Sequence, residues 1–316
     1  MKQFTSVDDI ADPLGLVREA MAIKKDPMAF NDLGKNLTLG LIFMNPSLRT
    51  RLSTQKAAQN LGMNVMVMNV GSDGWNLETE DGVVMNGSSA EHIKEAAPVI
   101  GAYCDIIGIR SFPGLKDREK DYEDAMLKAF TEYADVPVVS LESAIFHPLQ
   151  SLADLVTIEE TKSKEKPKVV LTWAPHVRAL PQSVPNSFVQ WVNETDYELV
   201  ITHPEGYELS KDIVRGARIE HNQAKAFKGA DFVYAKNWSS YLNYGEILSS
   251  DPTWMIDQSK MDLTDNAKFM HCLPVRRNLV VADEVIDSDQ SVVIQQAANR
   301  EFSAQAVLKR MIERSK

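Results

Sequence analysis

The sequence predicts an α/β protein of two domains, each a parallel sheet flanked by helices. Three observations carry that prediction. Short apolar runs alternate with amphipathic stretches between residues 38 and 271, the pattern of successive βα units. At 316 residues the chain is long for a single core. The unusual polar segments, among them Asn45-Pro46-Ser47-Leu48-Arg49-Thr50-Arg51, fall directly after the apolar runs. In open parallel sheets, ligands bind beyond the carboxyl ends of the strands, where those segments would lie.

Asp12-Pro13 opens a first helix, with Asp12 as cap and proline at the first helical position. Strand 38–44, helix 50–61 and strand 64–70 follow. A loop from Gly71 to Gly87 carries Trp75 and several acidic residues. Ser88-Ser89-Ala90-Glu91 reads as a capping box that opens a helix through Tyr103. Strand 105–109, a helix near 121–133 and strand 136–141 complete a four-strand unit. The helix after His147-Pro148 runs to about Lys162, and the charged segment 161–167 reads as a surface turn. Strands 168–173, 198–203, 231–235 and 268–271, with helices between them, make a second series. A helix from residue 297 ends the chain.

Composition narrows the class. With 44% hydrophobic and 25% charged residues the chain is an ordinary globular protein. A net charge of −10 argues against a nucleic-acid partner and against a polybasic contact with a membrane. No apolar run approaches the roughly 18 residues of a membrane span. The N-terminus lacks a signal-peptide pattern, and Cys104 and Cys272 make no disulfide framework. A cytoplasmic protein is the expectation.

The segment 45–51 points to chemistry. A strand that turns on Asn-Pro into a helix leaves free N–H groups at the helix start. With the positive end of the helix dipole they form an anion site. Ser47 and Thr50 add hydroxyl donors, and Arg49 adds a planar charged fork suited to phosphate. A phosphorylated small molecule is therefore expected. Arg110, at a strand end, serves equally as a surface ion-pair partner or an anion contact. His147 stands before a helix with Gln150 and Asp154 at helical spacing, and Asp154 is expected to orient a neighbour. His271-Cys272-Leu273-Pro274 ends a strand and is followed by Arg276 and Arg277. As a nucleophile Cys272 needs a nearby base, and as a buried thiol it needs nothing. Asn299-Arg300 sits at the start of the last helix, where Arg300 alone suits either a surface or a site.

Read together, Ser-x-Arg-Thr-Arg at 47–51, His-Pro-x-Gln-x-x-x-Asp at 147–154, His-Cys-Leu-Pro at 271–274 and Asn-Arg at 299–300 resemble the carbamoyltransferases. That family includes aspartate and ornithine carbamoyltransferases, and the order and spacing match over essentially the whole chain. The resemblance implies a carbamoyl-phosphate domain at 1–147, completed by helix 297–316, and an amino-substrate domain at 148–296. It implies a homotrimer with shared active sites. It also implies that Ser47, Leu48 (through its backbone), Arg49, Thr50, Arg110, His147, Gln150 and Arg300 contact carbamoyl phosphate. Cys272 and Leu273 join them, and Trp75 reaches in from the neighbouring subunit. In the implied reaction an amine attacks the carbamoyl carbon and phosphate leaves. Thr50, Arg110 and His147 are the donors to the carbonyl oxygen as it gains charge. Arg49 and the helix N-terminus stabilise the departing phosphate. Cys272 joins the catalytic set, and no metal, redox cofactor or covalent intermediate is required.

Which amine attacks is read from departures. Ornithine members carry an Asp after the strand matching 231–235, then Ser-Met-Gly, and bind a free α-amino-acid head. This chain reads Tyr234-Ala235-Lys236-Asn237-Trp238-Ser239-Ser240. Lys236 would repel a free α-ammonium and suits a blocked amine or an added carboxylate; the alternative is a snorkelling surface lysine. The Pro-containing loop 174–185 resembles the N-acylornithine branch of the family, in which this loop is threaded into a knot that simple topology rules do not predict. That branch implies that Glu142, His176, Lys236, Leu273 and Arg276 hold an N-acylated ornithine. Cys272 and the Leu273 carbonyl would lie near its δ-amine. An alkyl amine is mostly protonated near neutrality, so carbonyl acceptors that favour its neutral form are needed. His176, Arg178, Lys236, Arg276 and Arg277 offer positive charge for a succinyl carboxylate. Ala90 is small and uncharged where acetyl-specific members carry an acidic side chain, and Val280 stands where they carry Lys. Both departures favour succinyl, while Glu91, free to swing toward the site, weighs against it.

The expected reaction is transfer of the carbamoyl group from carbamoyl phosphate to the δ-amine of N2-succinyl-L-ornithine, in arginine biosynthesis. The rival acceptor is N2-acetyl-L-ornithine. The alternative of a different class is a non-catalytic carbamoyl-phosphate-binding paralogue. No Gly-x-Gly-x-x-Gly follows any predicted strand, and the six histidines show no zinc-ligand spacing, so neither a dinucleotide nor a zinc enzyme is expected.

Overall fold

In the computed structural model, which describes residues 1–315, the apolar runs of the sequence become parallel strands. In chain order these are β1 (Gln3–Phe4), β2 (Thr38–Phe43), β3 (Asn64–Asn69), β4 (Asn76–Glu78), β5 (Ser89–His92), β6 (Ile106–Arg110) and β7 (Val138–Glu142). They continue as β8 (Lys168–Trp173), β9 (Glu198–Thr202), β10 (Arg218–Glu220), β11 (Phe232–Lys236) and β12 (Lys268–Met270). One sheet has the order β1-β7-β6-β2-β3 and a second has β10-β9-β8-β11-β12, with every pairing parallel. β4 and β5 form a separate parallel pair. Among the described residues no helix is long and apolar enough to cross a membrane.

The chain divides into two units. The first holds Met1–Gly114, Glu119–Leu149 and the chain from Arg300 onward; the second holds Leu115–Arg118 and Gln150–Asn299. Each has its own core. In the first, Ile42, Ile107, Ile109 and Val138 pack with Phe130 and Ala97. In the second, Val170, Val200, Val233 and Phe269 pack with Phe227 and Val281. Strands such as β2 and β6 are apolar almost throughout because both faces of a parallel sheet are covered. Gly40 in β2 is needed at one such approach. A Cβ there would lie 2.6 Å from the Cys104 sulfur.

The structure departs from the expected elements in four places. Residues 88–91 do not open a helix. Ser89–His92 is extended because it pairs with β4, and the helix Ile93–Tyr103 is capped by His92, whose side chain accepts from the Lys94 N–H at 3.2 Å. The helix expected near 121–133 is two helices, Arg118–Tyr122 and Ala125–Tyr133. They break at Asp124, which has φ 47° and whose carboxylate accepts from the Ser143 hydroxyl at 2.7 Å and the Ala144 N–H at 2.9 Å. The last helix begins at Val293, so Asn299 and Arg300 lie within it rather than at its start. Finally, each sheet has a fifth strand, β1 and β10, too short to show a hydrophobic period.

Candidate active site

In the first unit, polar residues gather where β2, β6 and β7 end. β2 stops at Phe43, and Asn45-Pro46 turn the chain into the helix Leu48–Asn60. Ser47 is its N-cap residue, in extended conformation, and its side chain makes no capping hydrogen bond. The helix N-terminus therefore keeps the N–H groups and dipole that favour an anion. The Leu48 side chain is exposed while Thr50 is buried.

Arg110, the last residue of β6, crosses to this turn. Its Nη1 donates to the carbonyl oxygens of Asn45 and Pro46, each at 3.1 Å. The Phe112 N–H donates to Asn45 Oδ1 at 2.7 Å, and the Phe112 ring centre lies 4.1 Å from the guanidinium carbon. Arg110 Nη2 donates to Glu142 Oε2 at 3.0 Å, and His147 Nε2 stands 3.7 Å from the same oxygen. Arg110 Nε is buried and has no hydrogen-bond partner among the described residues. On the helix from Val293, Arg300 Nη2 donates to Thr50 Oγ1 at 2.6 Å. Arg110, Glu142, His147, Thr50 and Arg300 are all buried. Two buried guanidinium groups beside a helix N-terminus make this a place for an anion. Glu142, read from the sequence as an acceptor-binding residue, here pairs with Arg110 and neighbours His147.

Trp75 lies exposed before β4, and its indole N–H donates to Glu91 Oε2 at 2.8 Å. Glu91, which the sequence leaves free to swing, is thus engaged. Ala90 is beside it in β5, exposed.

In the second unit, Gln150 lies on the helix Pro148–Thr161 and donates from Nε2 to Asp154 Oδ1 at 2.8 Å. Gln296 donates to the same oxygen at 2.7 Å, and its own carbonyl oxygen accepts the His271 N–H at 2.9 Å. Asp154 so fixes two buried amides. Tyr234 on β11 is fully buried near Asp154 and Cys272; burial, then these neighbours, push its phenol well above the usual tyrosine range. Asn299 joins two helices, donating to Thr157 Oγ1 and Glu160 Oε2, both at 2.9 Å.

The loop from Ala174 to Gln182 runs beside the segment after β11. Ala174 N–H donates to the Lys236 carbonyl at 3.2 Å, Asn237 Nδ2 to the Ala174 carbonyl at 2.7 Å, and Ser239 N–H to the Leu180 carbonyl at 2.9 Å. Lys236 ends β11 with 8% exposure, so it is not a surface lysine; its Nζ donates to the Asn237 carbonyl at 2.9 Å. Arg276 Nε donates to His176 Nε2 at 3.2 Å, and His176 Nδ1 lies 3.1 Å from the Arg178 carbonyl. The Arg178 N–H also donates to His176 Nδ1 at 3.1 Å, so that nitrogen faces both backbone groups of Arg178. Burial, opposed by the Arg178 carbonyl and then reinforced by the charges of Lys236, Arg276 and Arg178, holds His176 below the usual imidazole pKa.

Arg277 stands apart from this group. It pairs with Asp287 at 2.6 Å and Asp283 at 2.9 Å, so its charge is neutralised at the surface. Val280 is buried in the core of the second unit, which leaves no room for a charged replacement to point inward. Leu273 takes φ 53°, a left-handed conformation uncommon for leucine, and its N–H donates to His271 Nδ1 at 2.9 Å. Cys272 is buried beside it. Sequence reasoning missed Asn45, Phe112, Tyr234 and Gln296 as supports. Asn45 was legible only as a turn residue, and Tyr234 was hidden in an apolar strand.

Comparison with known proteins identifies the family. Residues 2–160 match the aspartate/ornithine carbamoyltransferase carbamoyl-P binding domain, and residues 181–311 match the Asp/Orn binding domain of the same family. The chain is 59% identical over 315 residues to N-succinylornithine carbamoyltransferase of Bacteroides thetaiotaomicron, covering 99% of both chains. It is 34% identical over 339 residues to N-acetylornithine carbamoyltransferase of Xanthomonas campestris, covering 100% of this chain and 99% of the relative. A solved N-acetyl-L-ornithine transcarbamylase with a glutamate-to-alanine substitution, complexed with carbamyl phosphate and N-succinyl-L-norvaline, has a TM-score of 0.92. It shares 33% identity and covers 98% of this chain and 100% of that one. The chain belongs to the aspartate/ornithine carbamoyltransferase family.

Proposed function

We propose that the protein transfers the carbamoyl group of carbamoyl phosphate to the δ-amine of N2-succinyl-L-ornithine, giving N2-succinyl-L-citrulline and phosphate, in arginine biosynthesis. The observation that carries the acceptor assignment is the buried Lys236, grouped with His176, Arg276 and Arg178. The charges of Lys236, Arg276 and Arg178 would repel a free α-ammonium and attract an added carboxylate. Ala90, exposed in β5, adds no carboxylate to oppose it. The 59% identity to a succinylornithine enzyme, against 34% to an acetylornithine enzyme, supports the same choice.

In this reading Ser47, the Leu48 backbone, Arg49 and the helix N-terminus hold the phosphate, with Gln150 and Arg300 as further contacts. Thr50, Arg110 and His147 donate to the carbamoyl oxygen as the amine attacks, and each such donor is worth about 100- to 1000-fold in rate. Glu142 keeps Arg110 and His147 oriented and offers its carboxylate to the acceptor. Cys272 and the carbonyl of Leu273 receive the δ-amine in its neutral form. Positioning in a dry site provides the rest. The working unit is a homotrimer in which Trp75 serves the neighbouring subunit. Exposed Leu48, Leu52, Met66 and Trp75 support such a contact.

Phosphate release from carbamoyl phosphate, measured with and without N2-succinyl-L-ornithine, tests the proposal. Release that depends on the acceptor is expected. Binding of carbamoyl phosphate with no turnover on any ornithine derivative would contradict it.

A further inference from the structure

Away from these residues, three side chains with metal-ligand chemistry meet at the carboxyl ends of β9 and β10. His203 follows β9, Glu208 lies farther along the same loop, and His221 follows β10. One ligand atom from each lies within 4.8 Å of the other two. The two histidines are distant in sequence, so no spacing motif announces them; the parallel pairing of β9 with β10 brings them together.

Both imidazoles are oriented by the main chain. His203 Nδ1 lies 2.8 Å from the Pro204 carbonyl, and His221 Nδ1 lies 3.0 Å from the His203 carbonyl. A carbonyl only accepts, so each Nδ1 carries the hydrogen and each Nε2 presents a lone pair. Metal-binding histidines are held in the same way by their outer partners. His203 is fully buried, and its Nε2 has no hydrogen-bond partner among the described residues. Native proteins rarely leave a buried acceptor so, and each instance calls for a reason. The two rings stand 5.0 Å apart and nearly perpendicular. Glu208 is exposed, with one carboxylate oxygen accepting the Gly206 N–H at 3.2 Å.

We propose that His203, Glu208 and His221 form a binding site for a divalent transition metal ion, Zn2+ by preference, through the two Nε2 atoms and one carboxylate oxygen. Two imidazoles and a carboxylate are a zinc-type donor set, and a water completes four-coordination. Ligand atoms around tetrahedral zinc lie roughly 3.3 Å apart, so the exposed His221 and Glu208 side chains close onto the fixed His203. The loop between His203 and Glu208 carries Tyr207. The Tyr207 carbonyl accepts the Trp238 indole N–H at 2.8 Å, and its hydroxyl accepts the N–H groups of Leu248 and Ser249 at 2.8 and 2.9 Å. A bound ion ties this loop to β10 and stiffens the support of Trp238, two residues after Lys236.

Calorimetric titration of Zn2+ into the full chain, with Co2+ as a visible-absorption probe, tests the site. One ion per chain is expected, with a Co2+ spectrum free of sulfur charge-transfer bands. His221→Ala and Glu208→Gln should each weaken binding about tenfold or more. Both side chains are exposed, so these variants keep the fold. Zn2+ should raise the Tm of the wild-type chain and leave that of His221→Ala unmoved. No saturable binding by the wild-type chain, binding that survives both substitutions, or binding lost in Cys272→Ser would overturn the proposal.

Discussion

The Arg110 guanidinium stands 3.0 Å from the Glu142 carboxylate, with the side chains of both only 8% exposed. The same guanidinium holds the carbonyls of Asn45 and Pro46. One buried ion pair thus fixes the turn that presents Ser47, Arg49 and Thr50. Removing one partner of such a pair leaves an uncompensated buried charge, at a cost of about 3–5 kcal/mol. Glu142→Ala should lose stability on that scale in urea unfolding. A loss below about 1 kcal/mol would mean that Arg110 is held by the carbonyls alone.

Thr50 and Arg300 are joined at 2.6 Å, and Thr50→Val removes both the hydroxyl and that contact. A fall in kcat of about 100- to 1000-fold is expected. The KM for the acceptor should hardly move if Thr50 acts, as proposed, on the carbamoyl oxygen. A variant with unchanged kcat would remove Thr50 from the catalytic set.

Lys236→Met should discriminate between acceptors. Hydrogen bonds to charged groups contribute about 1.5–3 kcal/mol, a factor of roughly 10 to 150 in binding. The KM for N2-succinyl-L-ornithine should rise within that range, and turnover of N2-acetyl-L-ornithine should change little. Equal losses on both acceptors would show that Lys236 supports the fold rather than the carboxylate.

Ala90→Glu places a carboxylate next to Glu91, which already accepts from Trp75. Like charge near a succinyl group is repulsive. The kcat/KM ratio of succinyl to acetyl acceptor should fall about tenfold or more, and Ala90→Gln should fall less. If the ratio holds in Ala90→Glu, β5 is not a selector.

The pH dependence follows from His176 and His203, both held below the usual imidazole value by burial. The unfolded chain takes up these protons first as pH falls through about 6.5. Stability is therefore full above that value and is lost as pH drops toward the folded pKa values. Lys236, Arg276 and Arg178 face His176 and oppose its protonation. Urea midpoints measured between pH 8 and pH 5 should fall, and His176→Gln should flatten part of the fall. A flat wild-type profile would contradict the burial of both rings.

Much of this architecture is legible in the sequence, and the exceptions have physical causes. β2, β6, β8 and β11 show as apolar runs because both of their faces are covered. β1 and β10 are edge strands too short to carry a pattern. Ser88 to Glu91 has capping-box chemistry, yet pairing with β4 overrides the local preference. The break at Asp124 depends on Ser143 and Ala144, a long-range contact that no local window contains. Thr50, Arg110 and His147 could be named from motifs, but the role of Asn45 as their support needed the folded turn. Arg277 looked like part of the positive group until Asp283 and Asp287 were seen to hold it. The histidine pair at 203 and 221 was invisible for the opposite reason, since its members meet only through the sheet.

The identity of the acceptor is decided by one comparison. Citrulline-type product is measured from carbamoyl phosphate with ornithine, N2-acetyl-L-ornithine and N2-succinyl-L-ornithine, each over a range of concentrations. The highest kcat/KM is expected for the succinyl compound, with little turnover of the acetyl compound and essentially none of free ornithine. Preferred turnover of the acetyl compound would contradict the reading of Ala90 and the positive group, and turnover of ornithine alone would contradict the role given to Lys236.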